Sequence, residues 1–163
     1  FGKPPGPSRI PSLTQNTFYS ERENPTFESP IASSRSMLDM MIQSWGGIIH
    51  VFPAMPTKWQ EASFYQLRTE GAFLVSALRK NGQTKFIHIK SLAGEPCIIQ
   101  SDLMQDVKLE GPPSVQLLKK GNKWVLTLKK GQEAVLYSGA KPAAFVIKAN
   151  SLNVNEMNSW GVK

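Results

Sequence analysis

One carboxylate, Glu28, stands where it could hold or activate a water molecule. It lies in the segment Asn24-Pro-Thr-Phe-Glu-Ser-Pro30, immediately before a stretch with helical spacing. The free amides and the dipole of a helix N-terminus stabilise a negative charge at such a position. Glu28 is therefore either an ordinary helix-start residue or a group that the helix presents to a cleft. The sequence alone leaves both readings open.

Tryptophan side chains are the second feature that could do chemistry, because a flat indole can stack on a sugar ring. Packing in a core or between domains is the more common role of this residue. Trp45 is the best placed for a ligand, since it stands beside the end of the predicted helix. The chain has four such residues: Trp45, Trp59, Trp124 and Trp160.

The remaining reactive residues do not form a recognisable constellation. Two histidines, His50 and His88, lie in separate strand-like runs, and Cys97 is the single cysteine. No zinc spacing, glycine-rich phosphate loop or Gly-x-Ser-x-Gly elbow occurs in the sequence. We therefore predict no metal and no cofactor. Cys97 lies in an apolar run and is expected to be a small buried hydrophobe.

The charge of the chain does not indicate a nucleic-acid partner. The formal net charge is +7 over 163 residues, but the lysines are spread along strands and turns without interleaved aromatic residues. A solvated sheet face explains this pattern better. No apolar run approaches the length of a membrane span, so no membrane partner is expected. The sequence starts at Phe1 in a Pro-rich stretch, which we interpret as a cut from a longer precursor.

The elements that must position these residues begin with one predicted helix, over residues 30–45. Pro30 fits a first helical turn, and Ser29 before it is a candidate cap. Gly46-Gly47 is interpreted as the stop of the helix. The apolar positions recur at intervals of three and four, as on one face of a helix: Met37, Leu38, Met41, Ile42 and Trp45.

After Gly47 the period becomes that of strands. Asn81-Gly82 predicts a tight type I′ hairpin turn, because both positions favour positive φ. Regularly spaced short strands predict a mainly β fold, an antiparallel β-sandwich preceded by one helix. The predicted domains are an irregular arm with the helix (1–46), the sandwich (47–140) and a tail (141–163). The predicted strands cover 48–52, 63–67, 72–78, 85–89, 96–100, 106–110, 114–119, 123–129 and 132–137.

Two stretches of the sequence resemble glycoside hydrolase family 95, the α-L-fucosidase-like enzymes. In that family an "E-M-L-L-Q-S" helix runs into "I-x-L-L-P-A-L-P-x-x-W". Here Asp39-Met-Met-Ile-Gln-Ser44, Ile49-His-Val-Phe-Pro-Ala-Met-Pro56 and Trp59 stand in the same order. The family continues with "G-L-R-A-R-G-G-F-x-V", and Leu67-Arg-Thr-Glu-Gly-Ala-Phe-Leu-Val75 is similar. The similarity extends over about residues 37–100.

The resemblance implies an architecture and a role for Glu28. Enzymes of this family have an N-terminal β domain, an (α/α)6 catalytic barrel and a C-terminal β domain, so the chain would hold the last barrel helix and the C-terminal domain. The family carries "I-D-G-N-F-G-G" before that helix, and its water-activating Asp falls on Glu28. Pro30-Ile-Ala-Ser33 replaces the Asn-Phe-Gly-Gly that follows, which indicates a divergent clade. The family's general-acid Glu would lie upstream.

The resulting expectation is the C-terminal part of a secreted or periplasmic bacterial glycoside hydrolase, an inverting exo-glycosidase acting on plant or host glycans. Its partners would be the glycan substrate and the N-terminal catalytic barrel of the same protein. Glu28 is the candidate catalytic residue and Trp45 the candidate substrate-binding residue. The chain alone is expected to be inactive. The alternative is a non-catalytic accessory or carbohydrate-binding module.

Overall fold

A computed structural model describes residues 28–103 and 105–147 of the chain. Helix α1 spans Glu28–Met41. One compact unit, Met37–Lys148, contains the end of this helix and all the strands below. Residues 28–36 of α1 belong to a separate unit. Among the described residues, no helix is long and apolar enough to cross a membrane.

The helix ends four residues earlier than the sequence predicted. Residues 42–45, expected as its last turn, form strand β1 (Ile42–Trp45). Gly46-Gly47 joins β1 to β2 (Ile48–Val51) in an antiparallel pair, with φ of 60° and 74° at the two glycines. Positive φ at both central residues is the requirement of a type I′ hairpin turn. The glycine pair is therefore a hairpin turn rather than a helix stop.

The strands form two five-stranded sheets, and the predicted β-sandwich is confirmed. The remaining strands are β3 (Ala62–Thr69), β4 (Phe73–Lys80), β5 (Gln83–Ser91), β6 (Cys97–Gln100), β7 (Val107–Glu110), β8 (Leu117–Lys120), β9 (Lys123–Leu126) and β10 (Glu133–Ser138). The order in the front sheet is β1-β2-β6-β9-β8, and in the back sheet β3-β4-β5-β10-β7. All pairings are antiparallel except that of β2 with β6.

The core lies between the two sheets and consists largely of alternate residues of their strands. The front sheet contributes side chains such as Ile49, Ile99 and Leu126, and the back sheet contributes Ile87 and Leu136. Burial of each such side chain is worth about 1.5–3 kcal/mol. Cys97 is confirmed as part of this core, and its burial raises the pKa of the thiol to about 12.

The longest hairpin, β4–β5, turns at the predicted Asn81-Gly82 pair. The two residues have φ of 54° and 71°, as a type I′ turn requires. The register of this hairpin sets which residues of the back sheet face outward. Leu78 is paired with Phe86, and Phe86 with Tyr137 of the neighbouring strand β10.

The outward face of the back sheet is covered by the segment that follows β10. Phe145 packs on Phe86 with ring centroids 5.5 Å apart and on Tyr137 at 5.4 Å. Leu78 and Ile147 pack against the same group. A second, smaller apolar cluster therefore lies outside the main core, on the far side of the back sheet.

Candidate functional site

The outward face of the front sheet carries a row of apolar side chains that crosses all five strands. The alternation of the strands points these residues away from the core. Paired registers align Trp45 with Ile48, Ile98 with Val125, and Val125 with Leu118. The parallel pairing of β2 with β6 brings Ile48 alongside Ile98. We call Trp45, Ile48, Ile98, Val125 and Leu118 the apolar row.

A second row on the same face is polar throughout. Gln43 is paired with His50, His50 with Gln100, and Lys123 with Lys120. The register of β6 with β9 brings Gln100 alongside Lys123. We call Gln43, His50, Gln100, Lys123 and Lys120 the polar row. The two rows run side by side, so each strand of the front sheet presents one apolar and one polar side chain.

Trp45 is held in place by its neighbours in the polar row. Its ring stacks on the imidazole of His50, with centroids 4.9 Å apart and planes 16° from parallel. Its indole Nε1 donates a hydrogen bond to Oε1 of Gln43 at 3.3 Å. The residue is nevertheless 59% exposed. A ring oriented in this way and open to solvent is a surface on which a sugar ring can stack.

His50, which stacks on Trp45, is partly desolvated and lies near a positive charge. Its Nε2 is buried and has no hydrogen-bond partner among the described residues. Desolvation by burial, together with the positive charge of Lys123, lowers the pKa of His50 below its ordinary value. Both effects favour the neutral form of the imidazole, whose ring stacks on that of Trp45.

Lys120 and Lys123 form the basic end of the polar row. Within the described residues, neither ammonium group has an ion pair with a carboxylate. The two rows themselves contain no Asp or Glu. This end of the face therefore carries two positive charges that no described carboxylate neutralises.

Glu28 and Trp45, the two predicted site residues, belong to different units of the chain, and each is described by itself. Glu28 is the first residue of α1 rather than a residue before the helix. Its side chain lies outside the described side chains, so its catalytic role stays a prediction. Trp45, predicted at a helix end, lies instead in β1, at the hairpin turn.

The other tryptophans have different surroundings. Trp124 is buried and donates from Nε1 to the carbonyl oxygen of Leu103 at 2.9 Å, so it is a core residue. Trp59 is 39% exposed and follows β2 in a turn-rich segment. Trp160 lies outside the described residues. Of the tryptophans that the structure describes, Trp45 is the most exposed.

Sequence reasoning missed Gln43 and His50 as neighbours of Trp45. The cause was the assignment of residues 42–45 to the helix, since cross-strand neighbours exist only once β1 is recognised. A signal was present: a two-residue Gly-Gly loop between short alternating segments is typical of a hairpin.

A polar cavity of about 490 Å³ opens elsewhere in the sandwich, beside the start of β5 and the end of β10. Its carboxylate Asp102 accepts hydrogen bonds from the hydroxyl of Thr84 and, at 2.8 Å, from Nη1 of Arg79. These contacts tie the segment after β6 to the back sheet. No group of three or more His, Cys, Asp or Glu within residues 28–103 and 105–147 could hold a metal ion.

Comparison with known proteins identifies the sandwich. Residues 43–137 match the C-terminal domain of glycoside hydrolase family 95. The match starts in β1 and ends in β10, so it covers both sheets and more than half of the chain. No curated protein matches the sequence significantly.

Proposed function

Because the chain belongs to glycoside hydrolase family 95, whose C-terminal domain its sandwich matches, we propose that it is the C-terminal part of an inverting, α-L-fucosidase-like exo-glycosidase. The match over both sheets is the observation that supports this proposal. The enzyme would be bacterial and secreted or periplasmic, where plant or host glycans are met. Its catalytic barrel would precede the sandwich in the same protein.

Inversion requires two groups on opposite sides of the sugar ring. A carboxylic acid protonates the leaving oxygen, and a second group activates water on the other face. In our proposal Glu28 belongs to the water side, because it begins α1 at the position of the family's water-activating Asp. The barrel supplies the acid. The 163-residue chain alone should therefore hydrolyse no aryl glycoside.

The test is Glu28→Gln in the protein that includes the barrel. The amide keeps the size and hydrogen bonding of the side chain but removes its basicity. We expect kcat to fall at least about a hundredfold, which is roughly 2.7 kcal/mol in barrier height. Thermal stability should be nearly unchanged. Glu61→Gln, an exposed carboxylate outside the helix, is the matched control and should keep normal turnover.

A purely structural role of Glu28 gives the opposite pattern. Loss of a favourable charge in the first helical turn costs about 0.3–1 kcal/mol of stability, and turnover stays near that of the wild type. Near-normal kcat in Glu28→Gln would therefore remove the catalytic assignment from this chain.

The exposed, oriented indole of Trp45 favours a second role, a carbohydrate-binding module without catalysis. The two roles are separable by comparing the 163-residue chain with the protein that includes the barrel. An enzyme's C-terminal part takes part in turnover of an aryl glycoside once its barrel is present, whereas a binding module binds glycan without turnover in either form. Trp45→Ala should abolish that affinity if the indole contacts the sugar.

A further inference from the structure

The two rows of the front sheet define the shape of the ligand that they could bind. Neighbouring strands lie about 4.8 Å apart, so a row that crosses five strands extends over about 19 Å. A ligand that uses the whole face is therefore elongated and lies across the strands. Trp45 marks one end of the apolar row, and Leu118, 51% exposed, marks the other.

The pairing of the rows defines the polarity of that ligand. Each strand offers an apolar side chain beside an amide, imidazole or ammonium group. A sugar ring has a matching division, with C–H groups on its faces and hydroxyl groups on its edges. Gln100 can donate to and accept from hydroxyl groups, while the apolar row receives the ring faces. Gln43 donates to the carbonyl oxygen of Asp39 and accepts from Trp45, which leaves it one further donor and one further acceptor position.

The charge of the polar row selects among glycans. Gln43, His50 and Gln100 are on β1, β2 and β6, whereas the ammonium groups of Lys123 and Lys120 are on β9 and β8. Neither lysine is paired with a described carboxylate. An anionic group is thus favoured at the β9–β8 end. Single-stranded nucleic acid fits less well, because it needs successive aromatic platforms and the rows contain a single aromatic stacking surface, formed by the Trp45–His50 stack.

We propose that the outward face of the front sheet binds an acidic polysaccharide, with one sugar ring stacked on Trp45 and carboxylates of later sugars on Lys123 and Lys120. The site is non-catalytic and holds the enzyme on a charged glycan. It rests on the proposed function only for the choice of a glycan as ligand, and it is independent of Glu28.

Binding of polygalacturonate to the purified 163-residue chain tests this, by titration calorimetry at low and high salt. Methyl-esterified polygalacturonate, with the same backbone and no free carboxylates, is the matched neutral probe. We expect it to bind at least about tenfold more weakly, a difference of about 1.4 kcal/mol. Added salt should weaken the binding of the acidic polymer.

Three variants locate the binding. Trp45→Ala and the double variant Lys120→Gln/Lys123→Gln should each lose about tenfold or more in affinity for polygalacturonate. The control Lys80→Gln/Lys130→Gln removes the same charge from two exposed lysines outside the rows, and it should bind within about twofold of the wild type. Unchanged thermal unfolding of the variants shows that they fold.

Several outcomes would overturn the proposal. One is no binding of polygalacturonate at low salt. Another is an equal loss in both lysine double variants, which would mean non-specific attraction to a basic protein. A third concerns Trp45→Ala. If this variant binds polygalacturonate normally but destabilises the protein that includes the catalytic barrel, the face is a packing surface for that barrel. Because no turnover is measured, failure of the Glu28 assignment leaves this test intact.

Discussion

The outward faces of the two sheets use the same kinds of residues in different ways. On the back sheet, Phe86 and Tyr137 are covered by Phe145 from the segment after β10. On the front sheet, Trp45 stacks on the small ring of His50 and remains 59% exposed. The aromatic groups of the back face thus stabilise the domain, whereas that of the front face is available to a ligand.

The two faces also differ in how their charged side chains are paired. Glu133 of the back face accepts from Lys90 at 2.7 Å and pairs with His88 at 3.0 Å. Glu110 pairs with Lys141 at 2.9 Å. The rows of the front face contain lysines but no carboxylate. The charged groups of the back face are thus matched within the domain, whereas Lys120 and Lys123 of the front face have no ion pair among the described residues.

Truncation of one aromatic residue on each face gives the largest expected contrast. Phe86→Ala should lower the free energy of unfolding by about 3–5 kcal/mol, because the ring is buried. Trp45→Ala should change it by less than about 1 kcal/mol, because the ring is mostly in water. Denaturant unfolding of both variants measures this. Equal losses would mean that Trp45 is covered in solution, as Phe86 is.

Truncation of Phe145, which covers the back face, should lower the free energy of unfolding by less than Phe86→Ala does. Phe145→Ala deletes a half-buried ring and two aromatic contacts, so we expect a loss of about 1–2 kcal/mol. Val146→Ala is the matched control in the same segment, since Val146 is 57% exposed, and it should stay within about 0.5 kcal/mol of the wild type. If the two variants are equally stable, the segment does not close the face.

Much of this fold could be predicted from local sequence. Alternating apolar residues located the strands, and Asn81-Gly82 fixed the β4–β5 turn because few residue pairs accept positive φ twice. The end of the helix could not be located in the same way. Ile42 and Trp45 each stand four residues after an apolar residue of the helix, so this spacing is compatible with a further helical turn as well as with a short strand. Tertiary pairing with β2 decided between the two.

The candidate surface was less predictable than the strands. Trp45 was singled out from its residue type, but its contact with His50 depends on the register of β1 with β2. The polar row also requires β6 to lie between β2 and β9, a pairing between segments far apart in the chain. Such non-local order follows from packing of the whole domain and is not encoded in any short motif.

Glu133→Gln tests whether the back face satisfies its own charges. The pKa of Glu133 is lowered chiefly by the hydrogen bond from Lys90. The folded-state value therefore lies below the unfolded one, so the ion pairs stabilise the protein above the unfolded pKa and this contribution is lost as pH falls through the folded pKa. The side chain is 42% exposed, so the loss at neutral pH should be at the lower end of about 0.2–1 kcal/mol.

The measurement is the unfolding free energy of Glu133→Gln and wild type as a function of pH. The difference should shrink in acid, where the wild-type carboxyl is also neutral. Glu95→Gln, an exposed carboxylate without a described ion pair, is the control and should show little difference at neutral pH. A constant difference at all pH values would point to packing rather than charge.

The variant Lys123→Gln tests whether the lysines at one end of the front face influence the Trp45–His50 stack at the other end. Its expected effect, on the pKa of His50, is small. Burial and the charge of Lys123 both lower the pKa of His50. Lys123→Gln should therefore raise that pKa toward its ordinary value while leaving it depressed, because burial is unchanged. Titration of the His50 imidazole signals by NMR in both proteins measures this directly.

The sign of the stability effect follows from the same shift. A folded-state pKa below the unfolded one means that the unfolded chain binds the proton more readily, so the native protein loses stability as pH falls from the ordinary histidine value through the folded pKa. Lys123→Gln should reduce this loss, and Lys120→Gln, one strand farther away, should reduce it less. If Lys123→Gln does not raise the pKa of His50, the lysines do not influence the Trp45 stack electrostatically. A ligand that contacts both ends of the face would then be recognised at two independent points.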